Sequence, residues 1–154
     1  MRVRVIRFVF VFCAAIFFAG ATHAQQTASP DQAIALVKKA VAFYRAEGKA
    51  KAFAAFADPK GGFQTNDLYI FVQDLKGGML LHGRNPGLNG KDLIGLKDAD
   101  GKPFVAEMVK VATGKGSGWV DYRWVDPATR KIEPKSSYIE RVDDMFFGAG
   151  IYKH

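Results

Sequence analysis

Residues 67–82 read DLYIFVQDLKGGMLLH, and this stretch decides the fold class. Its first half is rich in aromatic and β-branched residues, which favour strands. Lys76-Gly77-Gly78 then provides a turn, and Met79-Leu80-Leu81 leads back along the first strand. The pattern therefore predicts a β-hairpin with a glycine loop.

A long helix is predicted before this hairpin. Ser29-Pro30-Asp31-Gln32 combines a capping serine, a proline suited to the first turn and a glutamine at the capping-box position. Apolar residues then recur at helical spacing, and Asp58-Pro59 ends the helix because the residue before proline disfavours helical geometry. Gly48 is expected to kink or divide the helix.

A short helix and three strands are predicted after the hairpin. Residues 83–102 are expected to be mostly loop, and Phe104 to Ala112 a short helix. Strands over residues 119–126, 132–142 and 145–152 follow. This order predicts an α+β domain, in which about five strands form one antiparallel sheet with a long N-terminal helix and a short helix over one face.

Residues 1–24 are predicted to be a secretory signal peptide. Three arginines precede an apolar run from Phe8 to Ala21, and Thr22-His23-Ala24 offers a cleavage site. A membrane anchor is the alternative, but the run is shorter than the roughly 20 residues that span a bilayer. We therefore expect export to the periplasm, where residues 25–154 form a single domain that does not span the membrane.

Charge and cysteine content exclude several classes of function. The chain has 22 basic and 15 acidic residues, a net charge of +7, and loss of the three leader arginines leaves 19 − 15 = +4. The basic residues are spread along the chain, so no nucleic-acid partner is expected. Cys13, the only cysteine, lies in the leader, so the mature domain has no disulfide and no thiolate site.

Short motifs that follow one another along the chain carry a family resemblance. They occupy residues 67–74, 82–86, 90–93, 98–102, 118–124, 135–141 and 148–152. This ordered set resembles the single Cache domain family, whose members are extracytoplasmic sensors with a PAS-like fold. The resemblance covers residues 31–152 and implies a pocket between the sheet and the loop–helix segment, for small carboxylates, amino acids or similar polar metabolites.

The resemblance also implies a partner. In the family's usual setting, two membrane helices flank the domain and a signalling module lies inside the cell. This sequence departs from that setting in its cleavable leader. A separate membrane sensor kinase, chemoreceptor or transporter is therefore the expected partner protein.

Three candidate ligand-binding residues lie where the hairpin runs into the loop. His82, Arg84 and Asn85 would provide one cation and two neutral donors, which could clamp a small carboxylate. The alternative is that Asn85-Pro86-Gly87 is only a turn and that Arg84 is a solvated charge.

Four more candidates come from the later strands. Tyr122 and Trp124 would share one face of a strand, as pocket walls or as ordinary core. Lys135 and Tyr138 fall on opposite faces if their strand is regular, although Pro134 could disturb its start. A Lys135 that points inward would need an anionic ligand or an acid beside it.

No catalytic residue, metal site or cofactor is predicted. The mature chain offers only two histidines, adjacent serines 136 and 137 without a sharp turn, and no phosphate-binding or dinucleotide motif. Asp98-Ala-Asp-Gly101 lacks the further ligands of a calcium loop and is expected to be a turn. We therefore expect a periplasmic domain that binds or senses an organic acid. The alternative is an envelope protein-interaction module that uses the same fold without a ligand.

Overall fold

A computed structural model describes residues 28–65 and 67–153, so the predicted signal peptide lies outside the described part of the chain. The regular elements are α1 (Pro30–Ala57), β1 (Phe71–Asp74), β2 (Met79–His82), a 3₁₀ turn (Pro86–Leu88), α2 (Phe104–Gly114), β3 (Ser117–Val125), β4 (Ile132–Val142) and β5 (Met145–Tyr152).

The strands form one five-stranded sheet in the order β2-β1-β5-β4-β3, and every neighbouring pair is antiparallel. This arrangement confirms the predicted α+β fold class. The short helix α2 packs on β3 and β4, while α1 packs on the opposite face against β5 and β4. The sheet is therefore covered on both faces, one helix to each, whereas the sequence predicted helices over one face.

The N-terminal helix begins and bends where the sequence predicts. The Ser29 hydroxyl accepts a hydrogen bond from the Gln32 backbone at 3.2 Å, and the Gln32 side chain accepts one from the Ser29 backbone at 2.8 Å. Gly48 interrupts the helix with φ +79° and ψ 168°, a conformation that glycine adopts without a Cβ clash. Within the described residues, no helix is both long and apolar enough to cross a membrane.

Strand alternation divides the interior into two cores. Phe147 and Ala149 of β5 pack under α1, whereas Phe146, one residue before Phe147, points to the α2 side. All eight residues of β5 are buried because the strand is central and both faces are covered. The α2 side of this sheet contains the candidate site.

Candidate ligand-binding site

A small cavity lies between the sheet and α2. It has a volume of about 20 Å³. Its walls are aromatic or aliphatic apart from a few polar groups. The lining residues are Tyr69, Phe71, Gln73, Met79, His82, Leu93, Leu96, Phe104, Val105, Met108, Tyr122 and Trp124.

A wider vestibule of about 440 Å³ adjoins this inner cavity. It is lined by Tyr69, His82, Arg84, Asn85, Leu88, Trp124, Val125 and Pro127. Tyr69, His82 and Trp124 line both spaces, so they mark the boundary between them. Neither lining includes an acidic side chain, and the vestibule carries the cation Arg84.

His82 is held at this boundary as a neutral donor. Its Nδ1 accepts the backbone N–H groups of Arg84 at 3.3 Å and Asn85 at 3.0 Å, because the chain turns directly after β2. Burial, reinforced by the positive charge of Lys135, lowers the pKa of His82 to about 3. The neutral ring therefore carries its proton on Nε2, which can donate to a solute in the spaces that the ring lines.

Lys135 lies behind Tyr69 and is only 1% exposed. Its Nζ donates to the Tyr69 hydroxyl at 2.7 Å and to the Tyr152 hydroxyl at 3.2 Å. Nζ also lies 4.3 Å and 4.6 Å from the centroids of these two rings. Burial lowers the pKa of Lys135 to about 7, although Asp126 and Asp67 oppose the shift.

Two glycines make room for this arrangement on the cavity face of β5. A Cβ on Gly150 would lie 2.4 Å from Lys135 Cε and 2.2 Å from Ser137 Oγ. A Cβ on Gly148 would lie 2.2 Å from the Phe71 ring. Side chains from the neighbouring strands β4 and β1 therefore lie flat across β5 where these glycines leave space.

Aromatic stacking and a buried hydrogen bond fix the wall formed by β3. Tyr122 stacks on Phe104 of α2 with ring centroids 4.4 Å apart and 3° between the planes. The Tyr122 hydroxyl shares a hydrogen bond of 3.0 Å with Ser137 Oγ. Trp124 meets Phe104 edge-on at 5.5 Å. Both predicted aromatic residues thus face the cavity, and they also form part of the core on this side.

Arg84 and Asn85 line the vestibule while making local contacts. The Arg84 guanidinium donates to the Thr65 carbonyl. The Asn85 side chain accepts the Gly87 backbone N–H at 3.2 Å and caps the 3₁₀ turn. The turn proposed as the alternative reading of residues 85–87 is therefore present, and a ligand role for Arg84 and Asn85 stays a prediction.

The position of Tyr138 corrects one prediction. Because β4 is regular, Tyr138 points to the opposite face from Lys135 and does not line the cavity. Its ring packs against Trp119 with centroids 5.6 Å apart, and its hydroxyl donates to Glu140 Oε2 at 3.3 Å. Pro134 does not break the alternation, so Tyr138 cannot enclose a ligand with Lys135.

Sequence reasoning missed three polar residues of the site. Tyr69 precedes β1, Gln73 lies on β1 and is 1% exposed, and Tyr152 ends β5. Tyr69 belongs to the motif over residues 67–74, but nothing local marks its hydroxyl as a partner of a lysine 66 residues away. Among the described residues, no cluster of His, Asp or Glu side chains is placed to hold a metal ion.

The antiparallel sheet with a helix on each face, and a cavity under the shorter helix, defines a PAS-like ligand-binding domain. The profile of the family Single Cache domain 2 matches residues 21–152, so the chain belongs to the single Cache domain family. The resemblance noted from the sequence motifs is thereby confirmed.

Two relatives place the family in signal transduction. Over 89 residues, the chain is 35% identical to the methyl-accepting chemotaxis protein McpP of Pseudomonas putida, covering 56% of this chain and 16% of McpP. Over 88 residues, it is 33% identical to the sensor histidine kinase MctS of Rhizobium johnstonii, covering 56% of this chain and 19% of MctS. The matches thus span less than a fifth of either relative.

Solved structures of sensor domains share the fold. A methyl-accepting chemotaxis protein from Vibrio parahaemolyticus matches with TM-score 0.69 and 26% identity, over 79% of this chain and 86% of that one. A periplasmic sensor domain of a chemotaxis protein matches with TM-score 0.66 and 29% identity, over 80% and 90%. A Cache chemosensory domain solved for its carboxylic acid recognition matches with TM-score 0.63 and 27% identity, over 80% and 88%.

Proposed function

We propose that this domain binds a short-chain monocarboxylate at the boundary of the inner cavity and the vestibule. The proposal depends on one observation: the buried cation Lys135 is hydrogen-bonded to the hydroxyls of Tyr69 and Tyr152. Tyr69 lines both the inner cavity and the vestibule, and no acidic side chain lines either space. A buried charge is costly unless an opposite charge or hydrogen bonds compensate it. A carboxylate beside Tyr69 and His82 would provide that compensation.

The lining suggests how the acid would lie. The His82 Nε2–H and the hydroxyl of Tyr69 would bind the carboxylate, with Arg84 at the vestibule side. The alkyl end would point into the inner cavity, towards Phe104 and Met108. Since that cavity has only about 20 Å³ of free volume, acetate and propionate fit the site better than longer acids.

The charge of the lining also supports selection against amino acids. An amino acid would bring an ammonium group as well as a carboxylate. No acidic side chain lines either space, so the ammonium would lose its water without gaining a counter-ion. The domain is expected to discriminate propionate from alanine, two solutes of similar size.

The relatives support a sensory use of this binding. One structural neighbour is a Cache domain that recognises carboxylic acids, and the curated relatives are a chemoreceptor and a sensor kinase. We propose that the domain acts outside the cytoplasm after signal-peptide cleavage, by binding and not by catalysis. Its ligand state would pass to a membrane signalling or transport protein.

Thermal denaturation with added acids tests the proposal. Acetate and propionate should raise the midpoint by several degrees, because a ligand at a hundredfold excess over Kd stabilises the folded state by about 2.7 kcal/mol. Alanine should leave the midpoint unchanged. The shift should disappear in Lys135→Met and persist in Lys110→Met, which removes an exposed lysine from the outer side of α2.

The result that contradicts the proposal is a midpoint that no monocarboxylate raises. Such a result would favour the protein-interaction module, in which the apolar lining serves only as core. If alanine raises the midpoint as much as propionate does, the carboxylate assignment stands but the selectivity argument fails.

A further inference from the structure

We propose that binding of a monocarboxylate in this cavity is coupled to uptake of one proton by Lys135. This inference rests on the proposed function and adds its regulation: the domain would report the acid and the external pH together. Its basis is the geometry around the Lys135 ammonium group.

The ammonium has hydrogen bonds but no close counter-charge. Within the described residues, no carboxylate lies within 4.0 Å of Nζ. A charged ammonium has three N–H donors, and the hydroxyls of Tyr69 and Tyr152 accept two of them. Both hydroxyls can equally serve a neutral amine, so these hydrogen bonds do not hold Lys135 in its charged form.

The titratable groups facing Lys135 come from every strand around it. They are Asp67 and Tyr69 before β1, His82 of β2, Asp126 after β3 and Tyr152 of β5. Arg84 of the loop after β2 and Tyr122 of β3 interact with Tyr69. The cavity-lining residues of α2 are Phe104, Val105 and Met108, none of which titrates. The two carboxylates act on Lys135 from a distance, and each accepts a backbone N–H elsewhere.

Within this set, Lys135 is the group placed to titrate near neutral pH. Burial lowers its pKa to about 7, and Asp126 and Asp67 counteract the shift only in part. Burial lowers the pKa of His82 to about 3, so the imidazole stays neutral. Burial also raises the pKa of the Tyr69, Tyr122 and Tyr152 hydroxyls above 10, so the phenols stay protonated.

A bound carboxylate would change this balance. Its negative charge favours the ammonium form and raises the pKa of Lys135 in the complex. Below pH 7 the lysine is charged with and without ligand, so affinity is independent of pH. Above pH 7 the free site must take up a proton to bind, so affinity falls by up to about tenfold per pH unit.

Isothermal titration of the full domain with sodium propionate tests the coupling. The titration is run near pH 6 and near pH 8, each in two buffers with different heats of ionisation. Near pH 8, the measured enthalpies should differ by about the difference between the two buffers' heats of ionisation, as expected for uptake of about one proton. Kd near pH 8 should be about tenfold higher than near pH 6. Near pH 6, the enthalpies in the two buffers should nearly agree, which corresponds to uptake of no more than about a tenth of a proton.

Two variants identify the titrating group. Lys135→Arg keeps a cation that does not titrate in this pH range, so propionate binding should lose both the proton uptake and the pH dependence; urea denaturation checks that the variant folds. Lys110→Met, the exposed control, should retain both.

The outcomes separate this inference from the proposed function. Propionate that fails to bind near pH 6 overturns both. Binding near pH 6 with the same Kd and no proton uptake near pH 8 overturns the coupling and leaves the function standing. Proton uptake that persists in Lys135→Arg assigns the proton to another group and also overturns the inference.

Discussion

Replacing Gly150 with alanine tests whether the glycine on β5 holds the site open. The backbone of Gly150 lies outside the left-handed region, so alanine causes no backbone strain. The added Cβ would lie 2.4 Å from Lys135 Cε, however, about 1 Å closer than ordinary van der Waals contact. Lys135 must then move by about 1 Å, which is enough to break its 2.7 Å bond to Tyr69.

The expected loss of stability follows from two costs. Overpacking a filled core costs about 1–3 kcal/mol. Loss of a hydrogen bond to a charged group costs about 1.5–3 kcal/mol more, reduced where Lys135 finds another partner. We expect Gly150→Ala to lower the free energy of unfolding by about 2–4 kcal/mol and to weaken propionate binding at least about tenfold.

Urea denaturation and calorimetric titration with propionate measure the two effects. Gly114→Ala is the matched control, because a Cβ at Gly114 meets nothing within 4 Å and its φ is not positive. That variant should be as stable as the wild type or slightly more so. If Gly150→Ala matches Gly114→Ala in stability, the reasoning about Lys135 and Gly150 is refuted.

Two further substitutions probe the cavity wall and the helix start. Met108→Ala should lower the free energy of unfolding, measured in urea, by about 2–5 kcal/mol. Because the inner cavity grows, the acid that raises the thermal midpoint most should change from propionate towards pentanoate. An unchanged preference would show that Met108 does not limit the ligand. Ser29→Ala should lower the free energy of unfolding by about 0.5–2 kcal/mol through loss of the capping box. Calorimetry should show an unchanged affinity for propionate, and a weaker affinity would mean that the start of α1 contributes to the site.

The elements of the fold were predictable because each has a local signal. The capping box, the kink at Gly48 and the glycine turn after β1 depend on residues close together in sequence, and the structure confirms all three. Strand alternation likewise indicated that Tyr122 and Trp124 share a face. Hydrophobic periodicity does not reveal which face of the sheet a given helix covers, so the opposite placement of α1 and α2 required the structure.

Candidate site residues could be selected from the sequence only where the residues of a single strand or turn suggest a binding role. His82, Trp124 and Lys135 were selected from local chemistry, and the structure brings them together around Tyr69. Tyr138 was wrongly included among the pocket residues because Pro134 was thought able to disturb β4. Strand periodicity alone places Tyr138 on the face opposite Lys135. The contact between Lys135 and Tyr69 depends on sheet order, which the sequence does not encode locally.

The features that shape the cavity weaken the fold, which argues for a role other than stability. Gly148 and Gly150 interrupt the buried central strand, where each glycine costs about 0.5–1 kcal/mol relative to alanine in unfolded-chain entropy alone. Lys135 is desolvated where an apolar side chain of equal length would cost less. The glycines provide the space that the lysine occupies, so the three residues act as one unit. A bound anion is the component that would recover the cost of burying the charge, and Lys135→Met should accordingly leave the ligand-free domain as stable as the wild type or more so.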